Sequence, residues 1–93
     1  MVKTIFLINS FDRQIVTRRA MSSFFDSLSQ THEKEIILDF SNIDFISRSC
    51  ADEYLKRKLN SKKEITETNM NNNVKAMISL AFLQFKRNMG ISA

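Results

Sequence analysis

A chain of 93 residues can enclose one core and no more, so residues 1–93 read as a single small domain. Its one cysteine, Cys50, excludes an internal disulfide and a sulfur-based metal knuckle, no stretch reaches the ~20 apolar residues of a membrane span, and Met1 reads as a natural start without a signal peptide, so a cytoplasmic setting is expected. The formal charge of +4 is uneven: residues 1–47 carry five basic and six acidic side chains, net −1, and residues 48–93 carry nine basic and four acidic, net +5.

Val2 to Ile8 is apolar or β-branched at nearly every position and predicts a first strand ending at Asn9-Ser10. Phe11 to Val16 reads as a connection or a short strand. Thr17 is placed to cap a helix running to about Ser29, in which Met21, Phe24, Phe25 and Leu28 recur at the spacing of one buried face. Gln30 to Lys34 is a loop. His32 within it has no histidine or cysteine nearby and reads as a surface residue, since a metal site needs three or four converging groups.

The apolar run Ile36-Ile37-Leu38 ahead of Asp39 predicts a strand covered on both faces, of the kind found in parallel or mixed sheets. Ser41-Asn42 supplies turn chemistry in a chain with no proline and one glycine, after which Ile43, Phe45 and Ile46 are expected to return to the core. Ser49 reads as the N-cap of a second helix, with Asp52 completing a capping-box-like pair. On that reading Asp52 and Glu53 occupy the first turn, and Lys56, Arg57 and Lys58 the last, as the helix dipole favours. Asp52 with Lys56 and Glu53 with Arg57 form i,i+4 pairs, and Ala51, Tyr54, Leu55 and Leu59 form the buried stripe.

Glu64 to Thr68, with Ile65 among charged and hydroxyl residues, predicts a strand near a sheet edge. Asn69 to Asn73 forms a turn, and Asn72 or Asn73 caps a last helix that runs to about Met89 and stops at Gly90. Val74, Met77, Ile78, Ala81, Phe82 and Phe85 make its broad apolar face, yet Ala76, Leu80 and Leu83 fall on the opposite side. A helix apolar on two sides needs two neighbours. The Leu80/Leu83 side is therefore expected either to form a homo-oligomer or partner surface, or to lie under the amino-terminal strand or the tail Ile91-Ser92-Ala93.

Strand and helix alternate three times, the pattern of a small open α/β sheet, parallel or mixed, with three to four strands, three helices and right-handed crossovers. Within it, Leu38-Asp39-Phe40-Ser41-Asn42-Ile43-Asp44-Phe45-Ile46-Ser47-Arg48-Ser49, followed by a helix, resembles the central motif of STAS domains, the fold of bacterial anti-sigma-factor antagonists. Ser49-Cys50-Ala51-Asp52-Glu53, Ile15-Val16-Thr17-Arg18-Arg19-Ala20 and Asn69-Met70-Asn71 with Val74 and Ile78 are similar to the short STAS-like family of prokaryotic domains. The resemblance implies a non-enzymatic regulatory binding module that docks on the ATP-binding face of a histidine-kinase-like ATPase through Asp44, Ser47, Arg48, Ser49, Asp52 and Glu53. It also implies control by serine phosphorylation at this turn. Ser47 stands where those proteins have aspartate and Arg48 where they have the phosphorylated serine, which leaves Ser49 and Ser47 as the nearest hydroxyls.

Other chemistries compete for the same residues. A phosphate on Ser49 would meet a helix N-terminus and Arg48, while as a cap Ser49 would have its oxygen occupied. Cys50 beside Arg48 could be a reactive thiol, but no base is placed to form a dyad, and an inert packed thiol is expected. Asp39 and Asp44 bracket the turn at the carboxyl edge of the sheet. Without a glycine loop or a matched lysine they are read as turn-stabilising and solvated groups rather than as a metal or phosphoryl-transfer site. No cofactor is expected. The basic second half offers the alternative of a nucleic-acid-associated accessory protein. That reading is disfavoured, because Lys56, Arg57, Lys58, Lys62 and Lys63 fall at a helix end and its loop, where solvated cations are ordinary, and no RNA-reading aromatic motif accompanies them.

Overall fold

The computed structural model describes residues 1–88, so the expected helix stop at Gly90 and the tail Ile91-Ser92-Ala93 lie outside the described residues. Its elements are β1 (Val2–Phe6), β2 (Gln14–Ile15), α1 (Arg18–Ser29), β3 (Glu35–Asp39), β4 (Phe45–Ile46), α2 (Arg48–Asn60), β5 (Glu64–Thr68) and α3 (Asn72–Asn88), with a 3-10 turn at Leu7–Asn9 after β1. Three strands form a parallel sheet in the order β1-β3-β5, the α/β alternation read from the sequence. Phe6 pairs with Asp39 and Asp39 with Thr68, so the three strands end level.

The first strand is shorter than the Val2 to Ile8 expectation. The amides of Ser10 and Phe11 both donate to the Leu7 carbonyl, at 2.9 and 2.8 Å, which curls the chain and buries Leu7. Helix α1 follows its sequence signals closely. Thr17 Oγ1 accepts from the Ala20 amide at 3.2 Å, and Met21, Phe24, Phe25 and Leu28 are buried. Rings then run through the core as a chain: Phe11 against Phe24 at 5.3 Å between centroids, Phe24 against Phe25 at 5.7 Å, Phe25 against Tyr54 at 5.8 Å and Tyr54 against Phe40 at 6.0 Å. Each tilted or edge-on contact adds about 0.5–1.5 kcal/mol beyond area burial. Together they tie α1, α2 and the end of β3 into one body.

Helix α1 packs on α2 and α2 on α3, so the helices form a single layer over one face of the sheet. Ile36 and Leu38 of β3 are buried beneath it. The expectation of a central strand covered on both faces is corrected. The alternate positions Val2, Thr4 and Phe6 of β1 and Thr66 of β5 are exposed, and Ile37 between them is half-buried. Strand β5 lies at an edge, as the charge pattern of Glu64 and Glu67 anticipated.

A second parallel pair, β2 with β4, was not foreseen as a unit. Gln14 is level with Phe45 and Ile15 with Ile46. The two-residue period turns Ile15 and Ile46 inward and sends Phe45 outward at 42% exposure, which corrects its assignment to the core. Leu59 is likewise exposed rather than part of the α2 stripe. The line facing the sheet runs Ala51, Tyr54, Lys58, and Lys58 ends in a 2.9 Å ion pair with Glu67 of β5. Tyr54 donates to the same Glu67 carboxylate.

Candidate functional site

The turn between β3 and α2 is fixed at its root by Asp39. Asp39 is 7% exposed, and its Oδ1 accepts from the Ser41 amide at 2.8 Å and the Ser41 hydroxyl at 2.5 Å, an Asx-type turn. Asn69 Nδ2, at the end of β5, donates to both carboxylate oxygens at 3.2 and 3.1 Å. The Ser41 bonds, more than those of Asn69, hold the Asp39 carboxyl below its ordinary pKa. Asn42 and Asn69 both adopt left-handed backbone, at φ 66° and 59°, which asparagine tolerates better than most residues and which this glycine-poor chain needs for its corners. Asp39 is a structural staple, and its oxygens are engaged within the turn.

Beyond that staple the chain is latched to the segment before α1. The amides of Asp44 and Phe45 donate to the Arg13 carbonyl, and that of Ser47 to the Ile15 carbonyl. Arg13 Nε meets Asp44 Oδ2 at 2.8 Å and a second Arg13 nitrogen meets Oδ1 at 3.3 Å, which lowers the Asp44 pKa. Asp39 and Asp44 thus have separate partners. Asn71 Nδ2 donates to the carbonyls of Ile43 and Asp44, while its Oδ1 accepts from the Val74 amide at 2.8 Å. The cap of α3 is therefore Asn71, which corrects the assignment to Asn72 or Asn73. Asn71 was favoured because one side chain there both closes the turn and starts the helix.

The cap of α2 is also corrected, from Ser49 to Ser47. Ser47 Oγ accepts from the Cys50 amide at 3.2 Å and donates to the Val16 carbonyl at 2.6 Å. The helix therefore begins at Arg48, and no acidic side chain lies in its first turn. Asp52 reaches back to Arg48 at 3.4 Å rather than forward to Lys56, and Asp52 and Glu53 do not serve the dipole as expected. Glu53 is 7% exposed and lies 4.0 Å from Arg57. A signal for the earlier start was present in the sequence: Ile46 and Ala51, both buried, hold the N′ and N4 positions of a hydrophobic staple around Ser47.

The six expected docking residues therefore divide. Asp44 and Ser49 are exposed, Ser47, Arg48 and Asp52 are half-buried, and Glu53 faces the interior. Ser49 Oγ, released from capping, lies 3.3 Å from Ser47 Oγ in the first turn of α2. Because Ser47 bonds the Val16 carbonyl, the N-termini of α1 and α2 adjoin, and Arg18 of α1 is near enough to act on the Cys50 thiol. Burial outweighs that influence and pushes the thiol up, and Cys50 is fully buried, an environment that suppresses the thiolate a nucleophile requires. The sequence reading did not assign Arg13, Arg18 and Arg19 to this surface. Only the β2–β4 pairing, a contact between segments about thirty residues apart, brings them there.

Two further features bear on what can happen here. No helix among the described residues is long and apolar enough to cross a membrane. On α3, Leu80 and Leu83 are 50% and 47% exposed and Phe82 is 40% exposed, so among the described residues nothing covers the Leu80/Leu83 side, β1 included. Comparison of the chain with protein-family models, with curated proteins and with solved structures gave no match.

Proposed function

We propose that this domain is a non-enzymatic, STAS-like regulatory module that docks on a protein partner through the β2–β4 latch and the first turns of α1 and α2. The observation that carries the reading is the placement of arginine. Arg18, Arg19 and Arg48 occupy first turns where the helix dipole is already positive, a position that disfavours cations by about 0.3–1 kcal/mol each. A surface that collects the wrong sign for its own helices suits an anionic partner. Val16 and Phe45, 54% and 42% exposed, add apolar contact area beside it.

The resemblance to anti-sigma-factor antagonists suggests a histidine-kinase-like ATPase as that partner. Ser49 is then the candidate phosphoacceptor, since Arg48 holds the customary place and the Ser47 oxygen is engaged as a cap. A phosphate on Ser49 would gain amides, dipole and guanidinium together while cancelling the positive surface, which gives a physical basis for a switch. The exposed Leu80/Leu83 side of α3 is the surface at which a second copy would pack.

Affinity capture from the source cell with the wild-type chain and with Arg48→Glu tests the docking. An ATPase of this class should be retained by the first and lost by the second; capture that ignores the substitution refutes the surface. Intact mass after incubation of the captured complex with ATP, compared with Ser49→Ala, tests the switch.

A further inference from the structure

At the opposite end of the sheet from the Ser47 turn, the C-terminal ends of α1 and α2 frame an open cleft of about 720 Å³. Its apolar floor comes from Phe25 and Leu28. Its basic wall comes from Lys34, Arg57, Lys62 and Lys63, with His32 beside them, and no carboxylate among the described residues lines it. Two of these cations are fixed. Arg57 stands over the Phe25 ring at 5.9 Å, held by Asp26 at 2.6 Å and the Ser22 hydroxyl at 2.8 Å. Lys63 is half-buried and its ammonium donates to the Thr31 and Glu33 carbonyls, at 2.9 and 2.6 Å, with no carboxylate partner among the described residues and a third N–H beyond these two bonds.

Helix C-termini draw cations, and Lys63 and Arg57 answer that need. They do not account for Lys34, Lys62 and His32, which are exposed on the same wall and enter no ion pair among the described residues. We propose that this cleft binds a phosphorylated small molecule with an apolar or aromatic body, of the nucleotide class. Its volume falls within the 300–1,000 Å³ range of small-ligand sites, and its largely polar, basic lining around the narrow apolar edge of Phe25 and Leu28 suits a phosphate with a small body attached. A long polyanion is a poorer fit. The exposed Glu35 and Glu64, paired across β3 and β5, and Glu33 beside them bound the positive wall and would repel a strand continuing past it.

The test is a titration of the full chain with ATP, with inorganic triphosphate and with a single-stranded oligonucleotide, followed by amide chemical shifts at physiological salt. Saturable shifts centred on residues 25–34 and 57–63 are expected with ATP, with weaker binding of triphosphate, which lacks the body. Lys34→Ser with Lys62→Ser, both exposed, should weaken ATP about fivefold without altering thermal stability. Lys63→Met should weaken it further. Absence of saturation, equal affinity for triphosphate and ATP, or an oligonucleotide that binds while ATP does not, would each overturn the proposal.

Discussion

Replacement of Ser47 and of Ser49 by alanine, one at a time, separates the two roles that these neighbouring hydroxyls could hold. Ser47 Oγ makes two bonds, accepting from Cys50 at the start of α2 and donating to Val16 across the latch. Loss of an N-cap costs about 1 kcal/mol. Loss of a hydrogen bond between segments costs about another 1 kcal/mol. Ser47→Ala should therefore lose about 2 kcal/mol, and at roughly 4–8 °C per kcal/mol for a domain of this size its Tm should fall by about 8–16 °C. Ser49 is exposed, and among the described residues its one side-chain hydrogen bond is the 3.3 Å approach to Ser47, so Ser49→Ala should stay within about 0.5 kcal/mol of wild type. Urea and thermal unfolding followed by circular dichroism measure both. A loss in Ser49→Ala equal to or greater than that in Ser47→Ala would return the cap to Ser49 and remove the argument that its hydroxyl is free for modification.

Three other outcomes follow from the geometry. Tyr54 is the sole tyrosine in a chain without tryptophan, so absorbance near 295 nm reports it alone. Burial first, and Glu67 second, raise its pKa, so the phenol should stay protonated through pH 10 in the folded state. The unfolded chain releases that proton near pH 10, so stability should fall by about 1.4 kcal/mol per pH unit above it; reversible ionisation near pH 10 without unfolding would contradict the packing. Asp39 has the opposite sign. Its lowered pKa adds stability that is complete above the ordinary carboxylate value near pH 4 and is lost as pH falls below that value through the lowered folded one, so Asp39→Asn should lower the urea midpoint at pH 7 and approach wild type as the pH is taken down into that range. If α3 joins two copies through its exposed side, Leu80→Asp should convert a concentration-dependent mass in light scattering to that of a monomer without loss of fold, and a wild-type chain monomeric at every concentration would exclude that interface.

The parts of the fold legible in the sequence are those set by local pattern. Helix α1 could be read from Thr17 and four apolar residues because cap and stripe act within one element. The alternation of strands and helices pointed to an open sheet, parallel or mixed, and the pairing of β1, β3 and β5 makes it parallel. What escaped depended on distant partners. Two serines on either side of Arg48 both satisfied the rule for an N-cap, and the choice of Ser47 was made by the Val16 carbonyl, 31 positions earlier in the chain. Phe45 looked like a core residue until β4 paired with β2 and fixed which side of a two-residue strand faced inward. Lys58 in the last turn of α2 and Lys63 after it read as solvated because their anchors, Glu67 for the first and the Thr31 and Glu33 carbonyls for the second, lie in other elements.

The charge pattern links the two ends of the molecule. Several carboxylates are committed internally: Asp26 to Arg57, Asp39 to Ser41 and Asn69, Asp44 to Arg13, and Glu67 to Tyr54 and Lys58. Asp52 is shared with Arg48, and the cations outside these ion pairs lie toward opposite ends of the parallel sheet, Arg18 and Arg19 at the N-terminus of α1 and Lys34, Lys62 and Lys63 near the helix C-termini. Only the second placement is favoured by the helices themselves. A domain stable by about 5–15 kcal/mol can carry a few unfavourable tenths at the first, yet simple optimisation of stability would replace Arg19 with an acidic residue. That asymmetry separates the two proposed surfaces physically. An acidic substitution at Arg19, exposed in the first turn of α1, should stabilise the isolated chain while weakening its partner complex, whereas acidic substitutions at Lys34 or Lys62 should weaken ligand binding without stabilising the chain.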